Sequence, residues 1–333
     1  MTIDNLVRLV EGELLTTPSI SSFENIQFFS NKISLGDLFV YTQLEDLQKA
    51  VEKGAYAILF DKEIQITDHE IAWIRVKSLK TALIRILRLY LREKSIHIYY
   101  INEIKTEIIK SIIPSKQLII LEDTIFDIFQ KIFNAKENSL VICSDEDMLK
   151  KIYPDYKMFG ISQNQQIQVI NYSIFETTFL YKNRFFKNIK LPKIFIEELE
   201  AVLSFLEKYE IVYELNNLNF IENHFDPIFI NNRFIQKPFG TTQKVLIFEK
   251  NYYMIEKERE FLKNEAKWAR ISLFLPKKHN SSKKDTETFL YEDLKDIKSQ
   301  KNFHFGIILA DKREFMPIFL EEKQNFSLFK ELT

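Results

Sequence analysis

A lysine and a threonine, Lys105 and Thr106, stand side by side at the start of a predicted helix, directly behind a predicted strand. In nucleotide-binding loops, a lysine in this position reaches the phosphates and the neighbouring hydroxyl binds Mg²⁺. Such loops also need glycine, because a backbone without Cβ atoms lets N–H groups approach a phosphate closely. The chain has 6 glycines in 333 residues, whereas average usage of about 7% would give roughly 23. This scarcity argues against a glycine-rich phosphate loop.

The other residues that could do chemistry have simpler structural interpretations. Ser144-Asp145-Glu146-Asp147 could bind a metal, but a capped helix N-terminus with an acidic first turn explains it as well, and we favour that interpretation. Cys143 is the one cysteine and ends an apolar run, so we expect an inert buried thiol. The five histidines lack zinc-binding spacing. They are His69, His97, His224, His279 and His304. We therefore predict no metal and no other cofactor.

Composition and charge exclude several classes of protein. Hydrophobic residues make up 46% of the chain and charged residues 28%, with a net charge of −1, which is typical of a soluble folded protein. A neutral balance gives no global attraction to nucleic acid or to an anionic membrane. The chain has no apolar run of about 18 residues and no secretory signal pattern. We therefore expect a cytoplasmic protein that does not bind nucleic acid or insert into a membrane.

The apolar patterning predicts alternating strands and helices, which favour parallel sheets with right-handed crossovers. The pattern predicts a compact α/β unit in residues 1–93. It also predicts alternating strands and helices in residues 94–222 and again in residues 223–333. The predicted strands are 37–40, 57–60, 71–76, 96–101, 118–121, 140–143, 245–248, 271–275 and 305–309. The predicted helices are 3–10, 44–53, 78–92, 105–112, 124–133, 145–152, 197–207 and 253–264.

Two segments place phenylalanines beside prolines in a region with few helix signals: 225–229 and 237–242. The favoured interpretation is a structured connection whose phenylalanines pack into the core. The alternative is an exposed aromatic docking patch, because exposed aromatic side chains in loops make good interface anchors.

The segment 32–40, Lys-Ile-Ser-Leu-Gly-Asp-Leu-Phe-Val, is followed at 50–59 by Ala-Val-Glu-Lys-Gly-Ala-Tyr-Ala-Ile-Leu. In this order they resemble the K-x-x-P-G-D-L-F-V-A strand and the A-x-x-x-G-A-x-A-x-L turn of the Mur ligases, most closely the MurF type. That type adds D-alanyl-D-alanine to UDP-MurNAc-tripeptide in peptidoglycan synthesis. Weaker similarity continues along the chain: residues 99–106 stand where the family carries its ATP loop, and 245–262 resemble the start of its ligase domain.

The departures from the family pattern affect its functional positions. Ile101 and Ile104 stand where the ATP loop has glycines, which leaves Lys105 and Thr106 as a vestigial ATP site. The family's D-S-R before the first strand corresponds to Phe29-Ser30-Asn31, so Ser30 and Asn31 are a vestigial substrate site. The central region is also shorter than in the family.

The resemblance implies an α/β protein with Mur-ligase-like three-part architecture. Its parts are a small N-terminal α/β domain (1–93), a shortened central parallel-sheet domain, formerly the ATPase (94–222), and a C-terminal Rossmann-like α/β domain (223–333). The departures from the family pattern predict a noncatalytic pseudoenzyme with an interaction or regulatory role, and the resemblance implies a place near cytoplasmic peptidoglycan precursor synthesis. We expect its partner to be another protein, such as a Mur ligase or another cell-wall synthesis factor. The alternatives are a divergent ATP-dependent amide ligase and a small-molecule sensor that uses the interdomain cleft.

Overall fold

The computed structural model describes residues 1–42, 45–114, 118–122, 124–160, 166–279 and 287–319. Its helices are α1 Ile3–Val10, α2 Leu47–Glu52, α3 Leu79–Glu93, α4 Glu103–Ile112, α5 Ile125–Phe133, α6 Glu146–Ile152, α7 Ile196–Lys208 and α8 Tyr252–Glu265. Residues 312–319 are also helical. The strands of the first half are β1 Glu13–Leu14, β2 Ile26–Gln27, β3 Leu38–Val40, β4 Ala57–Phe60, β5 Ala72–Arg75, β6 His97–Tyr100, β7 Ile119–Leu121, β8 Leu140–Cys143 and β9 Lys157–Met158. Those of the second half are β10 Ile167–Tyr172, β11 Thr177–Tyr181, β12 Arg184–Ile189, β13 Asp226–Ile230, β14 Lys244–Glu249, β15 Ile271–Pro276, β16 Thr288–Tyr291 and β17 Phe305–Leu309.

Local sequence signals explain where the longest helix of the first half begins. The Ser78 hydroxyl accepts a hydrogen bond from the Thr81 N–H at the N-terminus of α3, which satisfies one otherwise unpaired backbone donor. Its buried residues, including Leu79, Leu83 and Leu87, recur at helical spacing. Among the described residues, no helix combines the length and apolar character needed to cross a bilayer.

The described parts of the chain form two compact units. Unit 1 comprises Met1–Asn102 and Lys116–Phe159, and unit 2 comprises Glu103–Ser115 and Gly160–Thr333. Each sheet lies within one of the three ranges proposed from the sequence, whereas the boundaries at 93/94 and 222/223 remain a prediction. The helix α4 therefore groups with the later part of the chain, although it follows β6 directly.

Unit 1 contains two sheets. The first has the order β1-β5-β4-β3-β2, with β2 to β5 parallel and β1 antiparallel at one edge. The second has the order β7-β8-β6-β9 and is parallel throughout. A continuous core of buried side chains from α1, α3, α5 and both sheets joins these elements. The predicted parallel character is confirmed for these strands.

Unit 2 contains a three-stranded antiparallel sheet, β10-β11-β12, that the apolar patterning does not predict. Its outer strands are largely exposed, and their apolar residues do not alternate regularly with polar ones. The period-2 signal that marks a half-buried strand is therefore weak. Within the same unit, α4 packs against α7.

The C-terminal sheet has the order β13-β14-β17-β15-β16, in which β13 is antiparallel and the other strands are parallel. The segments that follow β14 and β17 cover opposite faces. Phe315, in helical residues 312–319, packs on Phe248 with ring centroids 5.4 Å apart. Glu258 of α8 lies beside Glu249. Glu249 points to the face opposite Phe248, because the side chains of successive residues in a strand alternate between the two faces. The boundary between β14 and β17 is thus a topological switch point, where α/β folds commonly bind ligands.

We predict that Gly306→Ala destabilises unit 2 by about 1–3 kcal/mol, as overpacking of a core does. A Cβ atom at Gly306 would lie 2.5 Å from Cε2 of Phe274, a ring with no exposed surface. Urea unfolding followed by circular dichroism measures the change. Gly160→Ala is the matched control, since nothing lies within 4 Å of its added Cβ. Equal stability of the two variants would contradict the close packing at Gly306.

Candidate functional site

Lys105 and Thr106 lie in the first turn of α4, as the sequence predicts. The Thr106 side chain has no exposed surface. Lys105 is half-buried, and burial is the main cause that lowers the pKa of its ammonium. The nearby Glu198 carboxylate acts to raise this pKa, and the Lys257 ammonium acts to lower it. Both charged groups that act on Lys105 belong to unit 2.

The connection from β6 to α4 is too short for a phosphate loop, and buried isoleucine side chains occupy the space that such a loop needs. The strand ends at Tyr100 and the helix begins at Glu103, so only Ile101 and Asn102 separate them. Ile101 is 1% exposed and Ile104 is 5% exposed. A loop that wraps a triphosphate needs several backbone N–H groups with open space in front of them. The residues present at this turn therefore do not fit Mg-ATP.

Ser30 and Asn31 lie in a short 3₁₀ turn, Ser30–Lys32, of unit 1. The N–H and the hydroxyl of Ser30 both donate to Oε2 of Glu45, at 2.9 and 2.8 Å. Asn31 is exposed, and its carbonyl oxygen accepts a hydrogen bond from the Lys53 ammonium at 2.7 Å. The structure thus brings these two residues together but places Lys105 and Thr106 in the other compact unit.

A cavity of about 500 Å³ lies next to this turn in unit 1. Its lining joins the carboxyl ends of β3 and β4 to the start of α3 and to α5. Glu45, Asp61 and Asp127 give the lining three carboxylates, against the ammonium groups of Lys62 and Lys80. The Oδ2 atom of Asp61 accepts the Leu79 N–H at 3.0 Å, so an acidic side chain already satisfies this donor at the helix start.

The most concentrated buried charge in the described part of unit 2 is centred on His224, at the carboxyl edge of the C-terminal sheet. The side chains of His224 and Glu249 have no exposed surface, and Nδ1 of His224 lies 2.8 Å from Oε1 of Glu249. On its other side, Nε2 of His224 lies 3.6 Å from Oε2 of Glu103. The same Glu103 oxygen lies 3.5 Å from the Lys250 ammonium.

Electrostatics favour a charged imidazole at this position. Burial pushes the pKa of His224 down, but its contacts with Glu103 and Glu249 outweigh burial, so the pKa is raised above its usual value. The contact with His224 in turn lowers the pKa of Glu103. His224 therefore forms an ionic chain from the start of α4 to the end of β14.

Glu258 of α8 extends this cluster with a carboxyl group that is completely buried. Neither of its oxygens, nor Oε2 of Glu249, has a well-formed hydrogen bond among the described residues. Burial, followed by the neighbouring charge of Glu249, raises the pKa of Glu258 well above its usual value. A neutral Glu258 is the expected form, because a protonated carboxyl can donate to a carboxylate and two adjacent charges repel each other.

A second ion pair lies at the same edge of the sheet. The Lys312 ammonium is 2.6 Å from Oδ1 of Asp226. Asn223 donates from its side chain to Asp311 at 3.1 Å and accepts the Lys312 N–H at 2.7 Å. The switch point therefore carries two lysines, Lys250 and Lys312, and each lies within ion-pair distance of a carboxylate of the chain.

The sequence alone does not indicate this cluster, because the five histidines lack zinc-binding spacing and the carboxylate partners of His224 come from segments far apart in the chain. One signal was present: Ile255, Glu258 and Leu262 share the buried face of α8 at helical spacing. A glutamate within an apolar stripe indicates a buried charge that needs a partner or a proton.

The remaining candidates have structural roles. In the acidic segment 144–147 the helix is capped, as expected. The N-cap residue is Asp145, whose side chain accepts the Met148 N–H, and not Ser144. Cys143 is buried, and burial raises the pKa of its thiol to about 11. Within the described residues, no group of three histidine, cysteine or acidic side chains could hold a metal ion.

Comparison with known proteins establishes the fold. No protein-family model and no curated protein sequence matches the chain. The crystal structure of MurF ligase from Thermotoga maritima in complex with ADP aligns at a TM-score of 0.50, with 12% identity, over 90% of this chain and 96% of that one. MurF from Acinetobacter baumannii aligns at 0.49, with 10% identity, over 98% and 93%. The T. maritima alignment confirms the predicted α/β fold of MurF-type Mur ligases, and at this identity it shows the fold alone.

We predict that Glu258→Gln flattens the pH dependence of stability. A raised pKa means that the folded state holds a proton that the unfolded state loses above about pH 4.5. This stabilisation is full below that pH and is lost as the pH rises through the folded pKa, at up to about 1.4 kcal/mol per pH unit. An amide does not ionise, so the variant is expected to lose less stability between about pH 5 and 8.

Urea unfolding across this pH range tests the prediction. Glu260→Gln is the matched control, because Glu260 is an exposed glutamate on the same helix. Parallel pH profiles for the wild type and Glu258→Gln would show that Glu258 is already ionised in the folded state.

Proposed function

We propose that this chain is a noncatalytic protein of the Mur ligase fold, without ATP-dependent ligase activity, that acts by binding another protein near cytoplasmic peptidoglycan precursor synthesis. The observation that carries the proposal is the complete burial of Thr106. A hydroxyl that binds Mg²⁺ in a phosphate loop must face the metal. Here the hydroxyl is enclosed, and buried Ile101 and Ile104 stand where a loop of this kind needs glycine.

The charge arrangement at the start of α4 supports the same conclusion. A helix N-terminus attracts anions, and Glu103 supplies one from the chain itself. Its carboxylate contacts His224 and Lys250. A phosphate at this position would meet a carboxylate and would compete with it for cations that already have a partner.

The MurF ligase from T. maritima was solved in complex with ADP, so a fold of this kind can hold a nucleotide. In the present chain the residues of the β6–α4 connection do not fit one. The assignment to peptidoglycan precursor synthesis rests on the family resemblance, because a fold by itself does not determine function. The expected partner is another protein, such as a Mur ligase or another cell-wall synthesis factor.

We predict that Mg-ATP leaves the thermal unfolding midpoint of the protein unchanged. A ligand at about 100 times its dissociation constant stabilises the folded state by about 2.7 kcal/mol, which raises the midpoint by several degrees. Differential scanning fluorimetry with about 5 mM Mg-ATP would therefore detect any site with a dissociation constant near 50 μM. An active MurF ligase measured in parallel is the positive control.

A rise in the midpoint that Lys105→Ala abolishes, without changing the midpoint of the free protein, would overturn the proposal in favour of a divergent ligase. UDP-MurNAc-tripeptide forms a second arm of the experiment. A rise with this compound alone and no turnover would instead indicate a small-molecule sensor. No response to either compound supports the noncatalytic function.

A further inference from the structure

A groove in unit 2 collects aromatic side chains that are large, apolar and exposed. Its volume is about 460 Å³, within the range of about 300–1,000 Å³ that is typical of ligand pockets. Tyr172, Phe239 and Trp268 line it and are 36%, 41% and 60% exposed. They come from β10, from the turn that precedes β14 and from the loop after α8. Single exposed aromatic residues are common, but convergence of three on one groove indicates an interaction site.

The wall formed by Phe239 is held in place before any ligand binds. Its ring lies 4.9 Å from the ring of Phe229, centroid to centroid. The N–H and hydroxyl of Thr241 both donate to the Pro238 carbonyl oxygen, and Gly240 has a φ of +73°, which favours glycine. A pre-formed wall lowers the ordering cost of binding.

The charged side chains among the described lining residues are both acidic: Glu176 and Glu265. The Tyr172 hydroxyl lies 3.3 Å from Oε1 of Glu265, within hydrogen-bond distance. The Lys193 ammonium lies 4.0 Å from the centroid of the Tyr172 ring, so one face of this ring already meets a cation of the chain. The exposed rings of Phe239 and Trp268 beside these carboxylates favour a further cationic group, and arginine can both stack and form ion pairs.

We propose that this aromatic groove docks a segment of a partner protein that carries an arginine or lysine beside an apolar side chain. The apolar side chain packs between Phe239 and Trp268, and the cation faces Glu176 and Glu265. The groove lies at the amino ends of β14 and β17, where Val245 and Phe305 line it. The His224 cluster lies at the carboxyl ends of these strands. The Mg-ATP experiment and the peptide experiment therefore test different sites.

Trp268 offers a direct readout of binding. The chain has 2 tryptophans, and the other, Trp73, is fully buried in unit 1. The Trp73→Phe variant therefore reports on the groove alone. The probe is the acetylated and amidated tetrapeptide Arg-Leu-Leu-Arg, compared with Glu-Leu-Leu-Glu and with N-acetylargininamide. Isothermal titration of the unmodified chain gives the same comparison if Trp73→Phe folds poorly.

The arginine peptide is expected to change Trp268 emission saturably, with a dissociation constant at least about tenfold lower than those of the other probes, a difference of about 1.4 kcal/mol. Salt is expected to weaken this binding because the ion pairs are exposed. Phe239→Ala and Glu265→Gln are each expected to weaken it several-fold. Tyr253→Ala is the matched control, since Tyr253 is 88% exposed and lies outside the groove lining.

Four results would overturn the proposal. Absence of saturable binding, or equal binding of the glutamate peptide, would remove the cationic segment as the occupant. Equal binding of N-acetylargininamide would assign the groove to a small organic cation. Concentration-dependent dimerisation that Phe239→Ala abolishes would assign it to a second copy of the chain.

Discussion

The ionic chain from Glu103 through His224 to Glu249 organises unit 2. It connects the first residue of α4 to the carboxyl end of β14, through a histidine that has no contact with solvent. Because removing one member of a buried charge pair leaves the other uncompensated, these residues depend on one another strongly. The same region contains the short β6–α4 connection and the enclosed Thr106, whereas Glu258 and Oε2 of Glu249 are buried without a well-formed hydrogen bond among the described residues.

The chain shares the fold of a MurF ligase, and our proposal that it lacks ligase chemistry rests on a few positions within that fold. The parallel sheets, the switch point between β14 and β17 and the strand-to-helix connection at residue 100 are the features that would position a nucleotide. The residues placed there are branched, buried or neutralised by a neighbour. Under this proposal, such side chains preserve packing and stability without meeting the requirements of phosphate binding, because a fold by itself does not determine function.

The sequence predicts most of the α/β elements because strong local signals mark them. The Ser78 cap and the apolar spacing of α3 place that helix within one residue, and β4, β8 and β17 match their apolar runs. The sheet β10–β12 has exposed outer strands and therefore lacks such a signal. The His224 cluster could not be predicted, because its members are joined by the pairing of β13 with β14 and the packing of α4 and α8. For Phe225 the core interpretation is correct, whereas Phe239 is exposed at a groove.

The buried thiol of Cys143 makes opening of the core around it measurable. It is the one thiol of the chain, it lies with no exposed surface in the core of unit 1, and its raised pKa keeps it protonated at neutral pH. A thiol reagent can therefore react only when the core around β8 opens and the thiol regains its ordinary acidity. The rate of labelling under native conditions thus measures how often the core around β8 opens.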